Sequence, residues 1–335
     1  DYVIGSLELA KKTGAEIYHG SWPDFKYGKV VDDGEEFRIG NLKVTALETP
    51  GHTPGCRSYV VTDLDTGKNP VLVCTGDTLF IGDTGRTDFG GPENRKKWSK
   101  MLYDSIHNKI LPLGDHVIIC PAHGSGSVCG SNIAKREDST LGAERLMNPW
   151  LQMSEEEFIK RKSEEQHNYA PYFKQMEIFN LQGAPEFGFG PTINALSAGV
   201  IEKLIVEGAV VVDTRPPPSF ASGYIKGSYN ISMSRLGMAG WVLPYDKPII
   251  LILGNVSELK ETVTGLTRIG YDNIIGYLKP SIVSWYLAAK SIDRLGMMTT
   301  PELTEKLDSE DWTVLDVRSL EEYESGHIEG SINIY

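Results

Sequence analysis

Val212-Asp213-Thr214-Arg215 recurs 103 residues later as Leu315-Asp316-Val317-Arg318, and the correspondence continues without a gap. Phe220 falls on Tyr323, Gly223 on Gly326, Ile225 on Ile328, Gly227 on Gly330, Ser228 on Ser331, Asn230 on Asn333 and Ile231 on Ile334. Stretches this similar fold as copies of one supersecondary unit. Around the first copy, helical and apolar segments alternate over 198–207, 209–213, 248–253, 259–269 and 273–277, which predicts a small α/β domain with a parallel sheet. The second copy stops at Tyr335, and its domain is expected to be cut off near its start. A chain of 335 residues, 40% of them hydrophobic, exceeds what one ordinary core accommodates. Three domains are expected, at 1–190, 191–292 and 293–335, with the Gly- and Pro-rich stretch 182–192 as a linker.

Charge and apolar run length narrow the partners. With 33 basic against 45 acidic side chains the net charge is −12, and no basic block is present to follow a phosphate backbone, which argues against nucleic acid. The longest apolar runs, such as 248–253, fall far short of the roughly 20 residues that cross a bilayer, so the chain reads as soluble with no membrane partner. Cys56, Cys74, Cys120 and Cys129 lack the density and paired spacing of a disulfide scaffold, so free thiols in a reducing, cytoplasmic compartment are expected. Asp1-Tyr2-Val3-Ile4-Gly5 has neither an initiating Met nor a leader pattern; the native start is expected elsewhere, and this opening carries no information on targeting.

Before the repeat, short apolar segments at 16–19, 42–47, 57–62, 70–75 and 116–120 read as strands. Trp98, Met101, Leu102, Ile106 and Ile110 recur at helical spacing within 94–110, and 139–182 looks helical with breaks at Pro149 and Pro171. The chemistry gathers at strand ends. Pro50-Gly51-His52-Thr53-Pro54-Gly55 presents an imidazole on a Gly/Pro loop, Cys74-Thr75-Gly76-Asp77 ends a strand with a carboxylate, and Cys120-Pro121-Ala122-His123-Gly124 ends another with a second imidazole. Each alone is ordinary, since His at a strand end usually bonds its own loop and Asp after Gly forms turns. Together, with glycine beside each donor so that backbone can pass close, they read as a metal site. His19, His107, His116 and His167 lack such a setting and are assigned to surface or packing.

In this order the motifs resemble the metallo-β-lactamase superfamily, whose members open with H-x-H-x-D-H and continue with an isolated His, a bridging Asp and a final His. The resemblance implies an α/β fold, the αββα sandwich, and makes Asp1 the Asp of the opening motif, with that motif's two His residues upstream. Tyr2 stands where its last His belongs. A phenol with a pKa of about 10 is a poor ligand at neutral pH, so the second metal position of binuclear relatives is expected to be empty. What remains is one upstream His with His52 and Asp77, a two-His-one-carboxylate set that favours a single Fe(2+) per chain, with Zn(2+) as the alternative. Asp1, Tyr2 and His123 are then expected around the metal rather than on it.

Gly82-Asp83-Thr84-Gly85-Arg86-Thr87-Asp88-Phe89 and His123-Gly124-Ser125-Gly126-Ser127-Val128-Cys129-Gly130 resemble the persulfide dioxygenases of that superfamily. Ser139-Thr140-Leu141-Gly142, Pro171-Tyr172-Phe173 and Met176 resemble the versions fused to rhodanese domains. This implies oxidation of a low-molecular-weight thiol persulfide to sulfite plus thiol, with O2 as co-substrate; a homo-oligomer is expected. Arg86 would pair either with a substrate carboxylate or with a structural acid. Cys56 and Cys129, near the site loops, could carry a persulfide, whereas Cys74 and Cys120, in apolar strands, read as buried structural thiols.

The repeat itself resembles the first half of a rhodanese domain. Sulfurtransfer needs a thiolate in the loop after the next buried strand. In the first copy that loop, Gly254-Asn255-Val256-Ser257-Glu258, has no cysteine, and a scaffold or docking role is expected; in the second copy it lies beyond Tyr335. A cysteine there would couple sulfite to further persulfide and give thiosulfate. Two other functions stand beside this one. Tyr2 and the rhodanese fusion count against a zinc thiolester hydrolase of the glyoxalase type, and His52 with Asp77 counts against a non-catalytic sulfane-sulfur binding or docking protein.

Overall fold

In Arg57–Asp63 every second side chain, Ser58, Val60 and Thr62, is buried, the period of a strand with one face on a core. The computed structural model describes residues 2–127, 129–130, 132–167, 169–187, 192–307 and 312–334. Arg57–Asp63 is the centre of a five-stranded sheet in the order Glu36–Ile39, Leu42–Glu48, Arg57–Asp63, Leu72–Gly76, Ile118–Pro121. The first three pairings are antiparallel and the last is parallel, with Cys74 opposite Cys120. Four of these strands lie within two residues of their predicted bounds. Glu36–Ile39 was not expected: Phe37 and Ile39 alternate with Glu36 and Arg38, but the run is only four residues long and mostly exposed. At 16–19 only Tyr18–His19 forms a strand, paired with Lys29–Val30.

A parallel pair needs a crossover. Here it contains the helix Arg95–Ser105, which widens into a π-helical turn over Ile106–Ile110. Its Leu102, Ile106 and Ile110 are fully buried in one cluster with Val60, Val73 and Ile119 of the sheet. Cutting Leu102 back to Ala in such a core costs about 2–5 kcal/mol. Beyond the sheet, Thr140 caps the helix Leu141–Met147 by accepting from Ala143 N, and Ser154 caps Glu155–Glu164 by accepting from Glu157 N. The expected break at Pro149 is a single 3₁₀ turn, Pro149–Gln152, and Phe173–Gln182 is the last helix of the region.

The second sheet has the order Asn194–Leu196, Ile274–Leu278, Ile249–Ile252, Val210–Asp213, Tyr229–Asn230. Ile249–Ile252 is buried at every position, as a strand covered on both faces must be. Val212 lies parallel to Tyr229, and in the second repeat Leu315 lies parallel to Ile332. By contacts the chain forms two compact units, residues 1–194 with 234–249 and 257–276, and residues 195–233 with 250–256 and 277–335. Cys56, Cys74, Cys120 and Cys129 form no disulfide with one another. Cys120, however, is exposed and Cys74 half-buried, because Val73 and Ile119 take the core-facing side of their strands. Among the described residues no helix is long and apolar enough to cross a membrane.

Candidate metal centre

The loop that carries His52 is pinned along its length. Thr49 and Ser58 share a buried hydroxyl–hydroxyl bond of 2.9 Å, and the Thr78 hydroxyl donates to the Thr49 carbonyl at 3.2 Å. Ser105 donates to the Pro50 carbonyl at 2.7 Å. Gly51, at φ +150°, passes so close to the crossover helix that a Cβ there would sit 2.4 Å from Leu102 Cα. His52 is thereby buried, with its Nδ1 2.9 Å from the Arg86 carbonyl oxygen. A carbonyl only accepts, so Nδ1 carries the proton and Nε2 keeps its lone pair. Burial holds the imidazole below its ordinary pKa, in the neutral form that a ligand needs.

Gly76, at φ +54°, turns the end of its strand so that Asp77 enters the same space. Gly85 lets the two loops touch: a Cβ there would lie 2.0 Å from the Asp77 carbonyl oxygen and 3.2 Å from His52 Cβ. Asp77 Oδ1 is buried and accepts no hydrogen bond. His123 Nε2, delivered by the neighbouring parallel strand, stands 3.1 Å from it, at ion-pair distance but off hydrogen-bond alignment. Burial opposes the charge on Asp77, and the imidazoles of His52 and His123 outweigh it, holding the carboxyl below the usual range.

A third donor joins them. His52, Asp77 and Cys129 each place one ligating atom in a group whose members lie within 4.8 Å of one another. Cys129 is buried, and burial pushes its thiol up to about 12 and that of Cys56 up to about 11. Two acids that the sequence did not single out hold these loops. Asp83 accepts from Thr84 N at 2.8 Å and Asn132 N at 2.7 Å, while Glu144, fully buried, accepts from Gly82 N at 2.7 Å and Asn148 Nδ2 at 3.1 Å.

Residues 5–123 match the metallo-beta-lactamase superfamily, and residues 197–288 and 299–335 match the rhodanese-like domain. The chain joins a metallo-beta-lactamase domain to a rhodanese-like domain. Among similar proteins is the human mitochondrial persulfide dioxygenase ETHE1, 37% identical over 130 residues, which cover 39% of this chain and 44% of that protein. Another is the probable metallo-hydrolase YqgX of Bacillus subtilis, 39% identical over 95 residues, 28% of this chain and 40% of that protein. The chain thus spans less than half the length of these relatives. The crystal structure of a metallo-beta-lactamase from Staphylococcus aureus subsp. aureus COL covers 83% of this chain and 80% of its own, at 29% identity and a TM-score of 0.70. The fold class read from the sequence is borne out for both parts.

Within the metallo-beta-lactamase domain, Arg86 has found a structural acid: its guanidinium is 1% exposed and forks onto Asp88, with two bonds of 2.6 Å. The fork lies over the Phe89 ring, 4.7 Å from its centre, and the same ring meets His52 edge-on at 5.1 Å. Tyr2 is half-exposed and lines a surface groove with Leu236, Lys260 and Arg268. Asp1 lies outside the described residues. Of the other histidines, His19 bonds the Gly20 carbonyl, His116 the Pro70 carbonyl and His327 the Tyr323 carbonyl, while His107 stacks on Tyr103 and His167 meets Glu165.

These donors fit a divalent transition ion. An imidazole nitrogen is fixed in its ligating tautomer by a backbone carbonyl, and a buried carboxylate oxygen accepts no hydrogen bond while facing it.

Proposed function

We propose that the metallo-beta-lactamase domain oxidises the persulfide of a low-molecular-weight thiol to sulfite, using O2 and one Fe(2+) held in part by His52 and Asp77. The observation that carries this reading is the pairing of His52, whose Nδ1 is taken by the Arg86 carbonyl, with the buried Asp77 Oδ1, which accepts no hydrogen bond, on loops too tightly packed to turn elsewhere. The similarity to a protein named persulfide dioxygenase supports the substrate class. Iron held in part by the His52 imidazole and the Asp77 carboxylate would supply redox chemistry toward a sulfur donor and O2.

The protein's own groups do the rest. The Arg86 carbonyl keeps the proton on His52 Nδ1. His123 steadies the Asp77 carboxylate from 3.1 Å. Phe89, packed against Phe173 and Tyr169, walls the imidazole with aromatic rings and keeps water from it. Arg86 acts here as a positioning residue. The rhodanese-like repeat at 191–292, with no cysteine in its loop 254–258, serves as scaffold or docking surface, and sulfurtransfer to give thiosulfate belongs to the domain that starts at 293. Four cysteines without the paired spacing of a disulfide scaffold support a reducing, cytoplasmic setting.

The test is metal analysis together with O2 uptake on glutathione persulfide. Asp77→Ala should remove both iron and uptake, whereas His107→Ala, on the crossover helix, should keep both. Two tightly bound zinc ions in active protein, or normal uptake by Asp77→Ala, would overturn the reading.

A further inference from the structure

The geometry points to Cys129 Sγ as a donor to the metal held by His52 and Asp77, making the site of this chain one of nitrogen, oxygen and sulfur. The inference rests on the reading of His52 and Asp77 as a metal site and adds to it a ligand that the two-His-one-carboxylate pattern does not contain.

A buried cysteine is usually a small apolar side chain, and Cys129 does pack with Phe80 and Ile133. What sets it apart is where its sulfur lies. Bonds from a transition ion to nitrogen, oxygen and sulfur are about 2.0–2.3 Å long, so donors sharing one ion lie at most about 4.5 Å apart. His52, Asp77 and Cys129 already fall within 4.8 Å of one another, a few tenths of an ångström from closing on an ion. The thiol is also held in place. Cys129 N donates to Ser127 Oγ at 3.1 Å, and Asn132 N donates to the buried carboxylate of Asp83 at 2.7 Å. Gly130 lies so near Asp83 that a Cβ on it would come within 3.0 Å of Oδ2. Asp77 Oδ1, buried, without an aligned hydrogen bond and with the His123 imidazole 3.1 Å away, marks the space between these side chains as one built for positive charge. On binding, the S–H bond is exchanged for a sulfur–metal bond and the proton leaves to water. Sulfur in the set favours thiophilic ions and places the thiolate where an incoming sulfur ligand must compete with it.

Cobalt(II) is the probe, titrated anaerobically into the whole chain. The wild type should develop a near-ultraviolet sulfur-to-cobalt charge-transfer band at one ion per chain. Cys129→Ser should lose that band and bind Co(II) at least ~10-fold more weakly, since the loss of mere outer partners already costs 10- to 100-fold. Cys56→Ser should keep both. X-ray absorption on the zinc-loaded wild type, which needs no variant to fold, should find one sulfur at about 2.3 Å. A shell of nitrogen and oxygen alone, or a band that survives Cys129→Ser and vanishes in Cys56→Ser, overturns the assignment. Asp77→Ala separates the two readings. If it abolishes Co(II) binding while the wild type has no sulfur ligand, only the Cys129 assignment falls; if it binds Co(II) like the wild type, or the wild type binds none, the metal site itself falls.

Discussion

In the first repeat Arg215 forks onto Asp213, donating from Nε at 2.9 Å and from Nη2 at 2.6 Å, and Nη2 reaches the Gly223 carbonyl at 2.9 Å. In the second, Arg318 donates to Asp316 at 3.0 and 2.6 Å and to the Gly326 carbonyl at 2.8 Å. Asn230 and Asn333 each bridge the carbonyls of their own Asp and Arg. The polar geometry is therefore the same in both copies. Burial is not: the Arg215 and Asp213 side chains are 8% and 0% exposed, those of Arg318 and Asp316 44% and 11%. Local sequence builds the fork, and the surrounding sheet decides what it is worth. Arg86 and Asp88 form a third fork two residues apart with the order reversed, and it too is buried.

The largest test of this difference is Arg215→Ala. It leaves Asp213 as an uncompensated buried charge and should cost about 3–5 kcal/mol in urea unfolding. A loss no larger than that of Arg318→Ala would break the comparison. Asn230→Ala comes next, at about 1–3 kcal/mol, because two backbone carbonyls lose a donor in a partly buried place. Asn333→Ala should cost less, since water replaces the amide.

The third fork makes a smaller, pH-dependent contribution. Burial works against the charge on Asp88, and the Arg86 guanidinium outweighs it, so its carboxyl lies below the ordinary range. The stabilisation is complete above the unfolded carboxyl pKa of about 4 and is lost as pH falls through the lower folded value. Asp88→Asn should therefore be less stable than the wild type at neutral pH, and the gap should narrow in acid; a constant gap would mean the carboxylate charge is not what matters. Arg318→Ala should leave the unfolding midpoint unchanged, as exposed pairs do.

Much of the fold was legible because its strands announce themselves. Val60, Val73 and Ile119 alternate with outward-facing neighbours, and Leu102, Ile106 and Ile110 keep helical spacing. Glu36–Ile39 gave only a faint signal, two apolar residues alternating with two charged ones in an edge strand paired on one side only. At the site, His52, Asp77 and His123 could be read from strand ends flanked by glycine, and the structure gathers them. Cys129 could be placed near the loops but not at the donors. Its position depends on Asp83 bonding the backbone of Asn132 49 residues away, a long-range contact that no local pattern encodes. The role of the Arg86 carbonyl was equally hidden, since every residue has one and only the fold shows which imidazole it meets.

Gly85 has a further consequence, for how this site can change over generations. Every side chain begins with a Cβ, and at this position the Cβ alone collides with the backbone of Asp77, so all nineteen alternatives face the same obstacle before their chemistry matters. A lineage or a directed library seeking a different metal preference has no gradual route through this residue. Variation must enter through groups with room around them, such as the half-exposed Tyr169 on the aromatic wall, while the contact between the two ligand loops stays fixed.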